Sequence, residues 1–185
     1  MEFVALSNTV LNILAREDPL LRISFRGVFP ADKLPSVPKG RRFTDAYIVN
    51  TDPAGEPGEH WLAIWTRLGV CEVFDSYGLP LSTYKNPKLQ AWLAQWKEVV
   101  FSDMTIQALD SQTCGHYVLM FLKAKVHGST FQDFLAQWNK QNLVLNDSRV
   151  AQSLKRLIKE ELYQTDLSCK QANVSRGTFC YVHSQ

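Results

Sequence analysis

Apolar residues recur at two periods along this chain, and the switch between them outlines its elements. Phe3, Val4, Leu6, Val10, Leu11, Ile13 and Leu14 follow a mostly helical period over residues 3–16, interrupted by Ser7 and Asn8. Pro19 marks the end of that helix. The pairs Phe29-Pro30, Leu34-Pro35 and Val37-Pro38 then read as extended or turn chain, because a residue before proline is pushed away from helical geometry.

From residue 46 the runs become short and strand-like. Ala46-Tyr47-Ile48-Val49-Asn50 predicts a buried strand, and Asp52-Pro53-Ala54-Gly55-Glu56-Pro57-Gly58-Glu59 supplies turn chemistry after it. His60-Trp61-Leu62-Ala63-Ile64-Trp65 predicts a second strand and Val70-Cys71-Glu72-Val73-Phe74-Asp75 a third. Arg67-Leu68-Gly69 can join these two as a hairpin, and Ser76-Tyr77-Gly78-Leu79-Pro80 closes the third. Residues 87–97, rich in Leu, Ala, Gln and Trp, predict a helix, and Val99-Val100-Phe101 a short strand. Residues 114–127 predict an apolar helix containing Val118, Leu119, Phe121, Leu122 and Val126. Phe131, Phe134, Leu135 and Trp138 mark the next helix. Val150 to Leu162 mark the last, with Leu154, Leu157, Ile158 and Leu162 on one face. Residues 165–185 show no clear period. This order predicts an α+β domain with its sheet packed between or against helices.

The length of 185 residues favours one domain with a substantial core, assigned to residues 1–163, with 164–185 as a C-terminal tail. Composition is that of an ordinary globular chain, 45% hydrophobic and 21% charged. No apolar run reaches the roughly 18 residues that span a bilayer, so no membrane partner is expected. Met1-Glu2-Phe3-Val4 has no basic stretch leading an apolar one, so no secretory signal is expected. The four cysteines, Cys71, Cys114, Cys169 and Cys180, are widely spaced, and free thiols in a reducing, intracellular compartment are the expectation. Cys180 and His183, with Cys169, fall short of a four-ligand zinc site, so no metal is expected. A net charge of +2 does not by itself indicate nucleic acid. The clusters Lys39-Gly40-Arg41-Arg42 and Lys155-Arg156 read as solvated surface rather than phosphate contacts.

Four positions could carry chemistry. Cys114 lies just before the apolar helix, where the positive end of the helix dipole favours thiolate. Its other reading is an inert buried cysteine, and the local sequence leaves both open. Gly115 would let a substrate carbonyl come close to the backbone. His60 opens a strand after a Gly/Pro-rich loop, so its ring could face a cleft. Asp75 ends the strand paired with it, at the same end of the hairpin, where a carboxylate could orient the imidazole. Asp75 reads equally well as a turn initiator before Ser76-Tyr77-Gly78. Gln107 could aim its amide at a developing oxyanion together with the Cys114 N–H. Alone it reads as a surface polar residue. His116 and His127 read as ordinary helix residues.

The ordered series His60-Trp61, Phe74-Asp75-Ser76-Tyr77-Gly78, Gln107 and Cys114-Gly115 resembles the clan of cysteine proteases that holds the adenovirus maturation protease (adenain) and the SUMO and other ubiquitin-like-protein proteases. Their chain order of His, acid, Gln and Cys reverses that of papain. Ala46-Tyr47-Ile48-Val49-Asn50-Thr51 ahead of Gly58-Glu59-His60-Trp61 brings the adenain side closer. The resemblance covers roughly residues 25–135.

It implies a mixed central sheet flanked by helices, with the cysteine nucleophile at the start of a buried helix. It implies that Cys114 attacks, His60 moves the proton, Asp75 orients His60 and Gln107 serves the oxyanion. Trp61 and Gly115 would border the substrate. The implied activity is a viral or mobile-element endopeptidase that cleaves capsid or other structural precursors, in the host nucleus or cytoplasm or packaged in virions. Removal of ubiquitin-like modifiers is the alternative, and a non-catalytic binding module on the same fold a further one. The chain departs from adenain-like enzymes in carrying Asp rather than Glu at the acid position, as SUMO proteases do. It has no cysteine in residues 98–106 to link an activating peptide. The expectation is therefore a protein substrate and no required cofactor. An activating peptide or DNA enters only by family analogy.

Overall fold

The computed structural model describes residues 5–37 and 43–155. The first helix, α1 (Asn8–Glu17), begins later than its apolar period suggests. Ser7 is its N-cap, its hydroxyl accepting from the Val10 N–H. The polar pair that interrupts the period is thus the helix start. Asp18 then caps a short second helix, α2 (Leu21–Ser24), by accepting from the N–H groups of Leu20 and Leu21.

Five strands follow: β1 (Phe25–Pro30), β2 (Asp45–Asn50), β3 (Trp61–Arg67), β4 (Val70–Phe74) and β5 (Glu98–Phe101). They form one sheet in the order β1-β2-β3-β4-β5. β1 runs parallel to β2 and β5 parallel to β4, while β2-β3 and β3-β4 are antiparallel. The sheet is mixed, as expected. β1 is an edge strand not foreseen as such. Its ladder shifts register between Phe25 and Gly27 and it ends on Pro30, which weakens its alternation and suits an edge. The β3–β4 hairpin turns at Leu68 and Gly69, both at positive φ.

Helices cover both faces of the sheet, and for this reason β2 and β3 read as continuous apolar runs. Ala46, Ile48, Ala63 and Trp65 face α1 and α4 (Cys114–Val126), packing with Leu11, Val118, Phe121 and Leu122. Tyr47, Val49, Leu62 and Ile64 face the other way, with Cys71 and Val73, against Leu89, Trp92 and Leu93 of α3 (Pro87–Leu93). Each fully buried Ile or Leu here contributes roughly 1.5–3 kcal/mol. α3 is shorter than the predicted 87–97. The chain must leave the helix after Leu93 to enter β5, and the Trp96 N–H turns back to Leu93 O.

α5 (Phe131–Ala136) opens on a Thr130/Asp133 capping box. A last helix, α6, covers residues 143–155, with Asn142 accepting from the Leu145 N–H at its start. It begins two turns before the predicted Val150. The polar pair Asn146-Asp147 hid those turns, yet both residues are buried. The rest of the predicted 150–162 helix, the tail 164–185, Cys169, Cys180, His183, Lys39 to Arg42 and Arg156 lie outside the described residues. Among the described residues no group of three or more His, Cys, Asp or Glu could hold a metal ion. No described helix is long and apolar enough to cross a membrane.

Candidate active site

Two antiparallel pairings bring His60 and Asp75 together. The β3–β4 ladder pairs Ala63 with Phe74, so the residue after Phe74 and those before Ala63 share one end of the hairpin. His60 is also tied back to the chain after β2, its carbonyl accepting from the Thr51 N–H at 3.0 Å. From there its Nε2 lies 2.7 Å from Asp75 Oδ1. The neighbourhood expected from hairpin geometry is what the structure shows.

Asp75 is 2% exposed, and its carboxylate takes four hydrogen bonds. Oδ1 accepts from His60 and from the Tyr77 N–H at 2.9 Å. Oδ2 accepts from the Leu79 N–H at 2.9 Å and the Tyr84 hydroxyl at 2.7 Å. Burial works against the charged form, but the His60 bond and charge, the Tyr77 N–H and the Tyr84 hydroxyl outweigh it and lower the pKa. The turn reading and the orienter reading of Asp75 are therefore compatible. The bond to the Tyr77 N–H is an Asx-type turn, and the same oxygen faces the imidazole.

The turn is also locked from behind. Gly78 sits at φ +62, and a Cβ there would come within 2.6–2.8 Å of the Met104 backbone. The Ser102 hydroxyl accepts from the Asp75 N–H at 2.8 Å and donates to the Asp75 carbonyl at 2.7 Å.

His60 is buried between opposing influences. Loss of solvation pulls its pKa down. The bond and charge of Asp75, with a hydrogen bond and charge from Cys114, push it up to about 9. Asp75 occupies Nε2, whereas the buried Nδ1 has no hydrogen-bond partner. The ring thus stands between a carboxylate and a thiol. Two aromatic rings stack on it, Tyr77 at 4.7 Å and Tyr84 at 6.0 Å between centroids. Tyr84 was not singled out in the sequence. The only hint was a tyrosine after Pro80, where a 3-10 turn at Leu81–Thr83 folds the chain back to Asp75.

Cys114 is the first residue of α4 and is partly exposed. In that first turn the N–H groups of His116 and Tyr117 point back to the Thr113 carbonyl. The Cys114 N–H is one of those a helix start leaves without an internal partner. Cys71, by contrast, is buried in the α3-side core, where burial and then the Glu72 charge push its thiol well up.

Gln107 is fully buried, not a surface polar residue. Its Oε1 accepts from the Ser76 hydroxyl at 2.6 Å. Its Nε2 donates to the Tyr77 hydroxyl at 3.2 Å and the Ser111 carbonyl at 3.0 Å. Both of those acceptor residues border a cleft of about 710 Å³ that reaches Cys114. Gln112 borders the same cleft but is exposed.

Trp61 lines the cleft. Gly115 does not open onto it. A Cβ at Gly115 would meet Leu6 at 3.1 Å, Leu11 at 3.4 Å and Trp61 at 3.5 Å. Its missing side chain makes room for α1 and Trp61, not for a substrate carbonyl. From Cys114 the cleft runs to the 52–59 loop and the Leu6–Asn8 segment. His116 is a buried residue of α4 whose pKa burial holds down to about 4. His127 caps the other end of that helix. Neither joins the site.

No protein-family description matches the chain, and no curated protein does. Among solved structures, it is similar to a protease of ASFV, with 21% identity and a TM-score of 0.37. That match covers 58% of this chain and 43% of the other, so the chain spans less than half of that protein's length. It is also similar to ChlaDub1 from Chlamydia trachomatis, with 15% identity and a TM-score of 0.47, over 84% of this chain and 78% of the other.

Proposed function

We propose that the chain is a cysteine endopeptidase acting on protein substrates. The observation that carries this reading is the His60 ring, bonded to Asp75 through Nε2, with its buried Nδ1 unpartnered and Cys114 close enough to raise its pKa. A buried, hydrogen-bonded carboxylate fixes the ring and favours the imidazolium.

In this reading the chemistry runs in two halves. The Cys114 sulfur adds to the scissile carbonyl carbon, and negative charge grows on the carbonyl oxygen. The Cys114 N–H stabilises it, and the Gln107 amide joins by exchanging its bond to the Tyr77 hydroxyl for one to the oxyanion. The carbon–nitrogen bond then breaks, and His60 passes its proton to the leaving amine. A thioester remains. His60 takes a proton from water as it adds to the thioester, and loss of the acid frees the sulfur with the ring protonated again. Apart from the attacking water, each step uses groups of this chain alone.

The resemblance of His60-Trp61, Phe74 to Gly78, Gln107 and Cys114-Gly115 to the adenovirus maturation protease carries the finer reading, cleavage of viral or mobile-element structural precursors. Incubation with a peptide library, beside a probe of a ubiquitin-like modifier carrying a C-terminal electrophile, tests both levels. Cleavage of library peptides without labelling by the probe supports the precursor reading. Rapid probe labelling at Cys114 would replace that substrate class with ubiquitin-like conjugates. Absence of both cleavage and labelling would remove the proteolytic reading.

A further inference from the structure

Six residues separate Gln107 from Cys114. A segment of that length could adopt many shapes, yet both of its ends are held by one buried side chain from a distant part of the chain. Asp147 of α6 is 1% exposed. Its Oδ2 accepts from the Ala108 N–H at 3.2 Å, next to Gln107. Its Oδ1 accepts from the Thr113 hydroxyl at 2.8 Å, next to Cys114, and from the Tyr117 hydroxyl at 2.9 Å, one turn into α4.

Asn146 adds a second clamp. Its Nδ2 donates to the carbonyls of Ile106 at 3.0 Å and Asn139 at 2.7 Å. Within the loop, Ser111 and Thr113 share a hydroxyl contact of 2.9 Å, and the Ser111 carbonyl accepts from Gln107.

This arrangement has a cost and a consequence. Thr113 occupies the N-cap of α4, where a threonine hydroxyl normally accepts from the helix's own first N–H groups. Here it makes no such cap and is spent on Asp147 instead. Two chain ends bonded to the two oxygens of one carboxylate hold a fixed separation. Those ends carry the amide and the sulfur that must meet the same carbonyl group.

We infer that Asp147 is a positioning residue, holding the Gln107 amide and Cys114 at the spacing that the oxyanion-forming step requires. The inference rests on the proteolytic reading given above. Asp147 touches no reacting atom. It acts through Thr113 on one side and Ala108 on the other, so its effect falls on the transition state and spares substrate binding. It also leaves the intrinsic reactivity of the sulfur, set by His60, in place.

Two reactions of the same cysteine separate these effects. Alkylation by iodoacetamide needs the sulfur and His60 but no oxyanion donor. Hydrolysis of a peptide amide needs all three. The experiment compares wild type, Thr113→Val, Thr113→Ser and Asp147→Asn, using the fluorogenic peptide amide that wild type hydrolyses fastest in a positional library. A misplacement of about 1 Å costs up to about 100-fold in rate. Thr113→Val and Asp147→Asn are each expected to lower kcat about 10- to 100-fold, with KM and alkylation rate within about twofold of wild type. Thr113→Ser, which keeps the hydroxyl, is expected to restore kcat. Unchanged kcat in both damaging variants overturns the inference. So does a parallel loss of alkylation and hydrolysis, which would show a merely structural role. If wild type hydrolyses no peptide while Cys114 still alkylates, the proteolytic reading fails first and this one with it.

Discussion

The Ser76 hydroxyl donates to Gln107 Oε1 across 2.6 Å. A carbonyl oxygen can only accept, so the Ser111 carbonyl confirms that Nε2 is the atom on the other side. The residue after the acid therefore orients the oxyanion candidate. Ile106 and Gln107 both donate their N–H groups to the Ser76 carbonyl, at 2.9 and 3.2 Å. The acid turn and the amide form one rigid unit.

From this follows a contrast between the two glutamines near Cys114. Removing an oxyanion donor costs roughly 100- to 1000-fold in turnover. Gln107→Ala is expected to lose about that much. Gln112→Ala, which removes an exposed side chain at the cleft, is expected to raise KM more than it lowers kcat. Steady-state kinetics of both variants on one peptide check this. A larger kcat loss for Gln112→Ala would move the oxyanion site to that residue.

The raised pKa of His60 makes a signed prediction about pH. The folded value is about 9, against about 6.5 for an unperturbed imidazole. Folding therefore favours the protonated ring. The stability this contributes is complete below pH 6.5 and is lost as pH rises through about 9. Asp75→Asn removes the main partner that raises the pKa, so its melting temperature should fall less steeply between pH 6.5 and 9 than that of wild type. The same variant should lower kcat by about 100-fold or more, because the ring loses its orienter. Thermal melts across pH, with kinetics at neutral pH, test both parts. Parallel melting curves with unchanged turnover would leave Asp75 as a turn residue only.

Tyr84 is expected to support Asp75 rather than to react. Tyr84→Phe keeps the ring stacked near His60 but removes one donor from the carboxylate. A stability loss of about 1–2 kcal/mol is expected, by denaturant titration. The fall in kcat should be smaller than that of Asp75→Asn. An equal fall would mean that the hydroxyl itself takes part in the chemistry.

Gly78→Ala should be among the most damaging single changes in the chain. It combines a left-handed backbone with a Cβ 2.6 Å from the Met104 backbone, which cannot yield as a flexible side chain would. A loss above about 2 kcal/mol is expected. Gly55→Ala is its control, since a Cβ there meets nothing within 4 Å although φ is also positive. Equal melting temperatures for the two variants would show that the 75–79 turn is softer than its packing implies.

Much of the site was legible because its residues sit at element ends, which sequence periodicity locates well. His60 and Asp75 lie beside β3 and β4, and hairpin pairing alone brings them together. Cys114 heads a long apolar helix. Gln107 was legible only through resemblance, because nothing local distinguishes a buried amide in an irregular segment from an exposed one. Tyr84 and Asp147 were not legible. Each reaches the site through a tertiary contact, across 9 residues to Asp75 and 34 residues to Thr113. The fold shows the same division. The strands buried on both faces announced themselves, whereas β1, with an arginine, a glycine and a proline at the sheet edge, did not.

In the proposed chemistry Cys114 attacks a peptide carbonyl with His60 as its partner. The most direct measurement is trapping of the acyl-enzyme: brief incubation with an activated peptide ester, acid quench and mass-spectrometric mapping of the acylated residue. One acyl group is expected, on Cys114, lost in Cys114→Ala and formed much more slowly in His60→Ala. Acylation spread over other residues, or unchanged in Cys114→Ala, would contradict it.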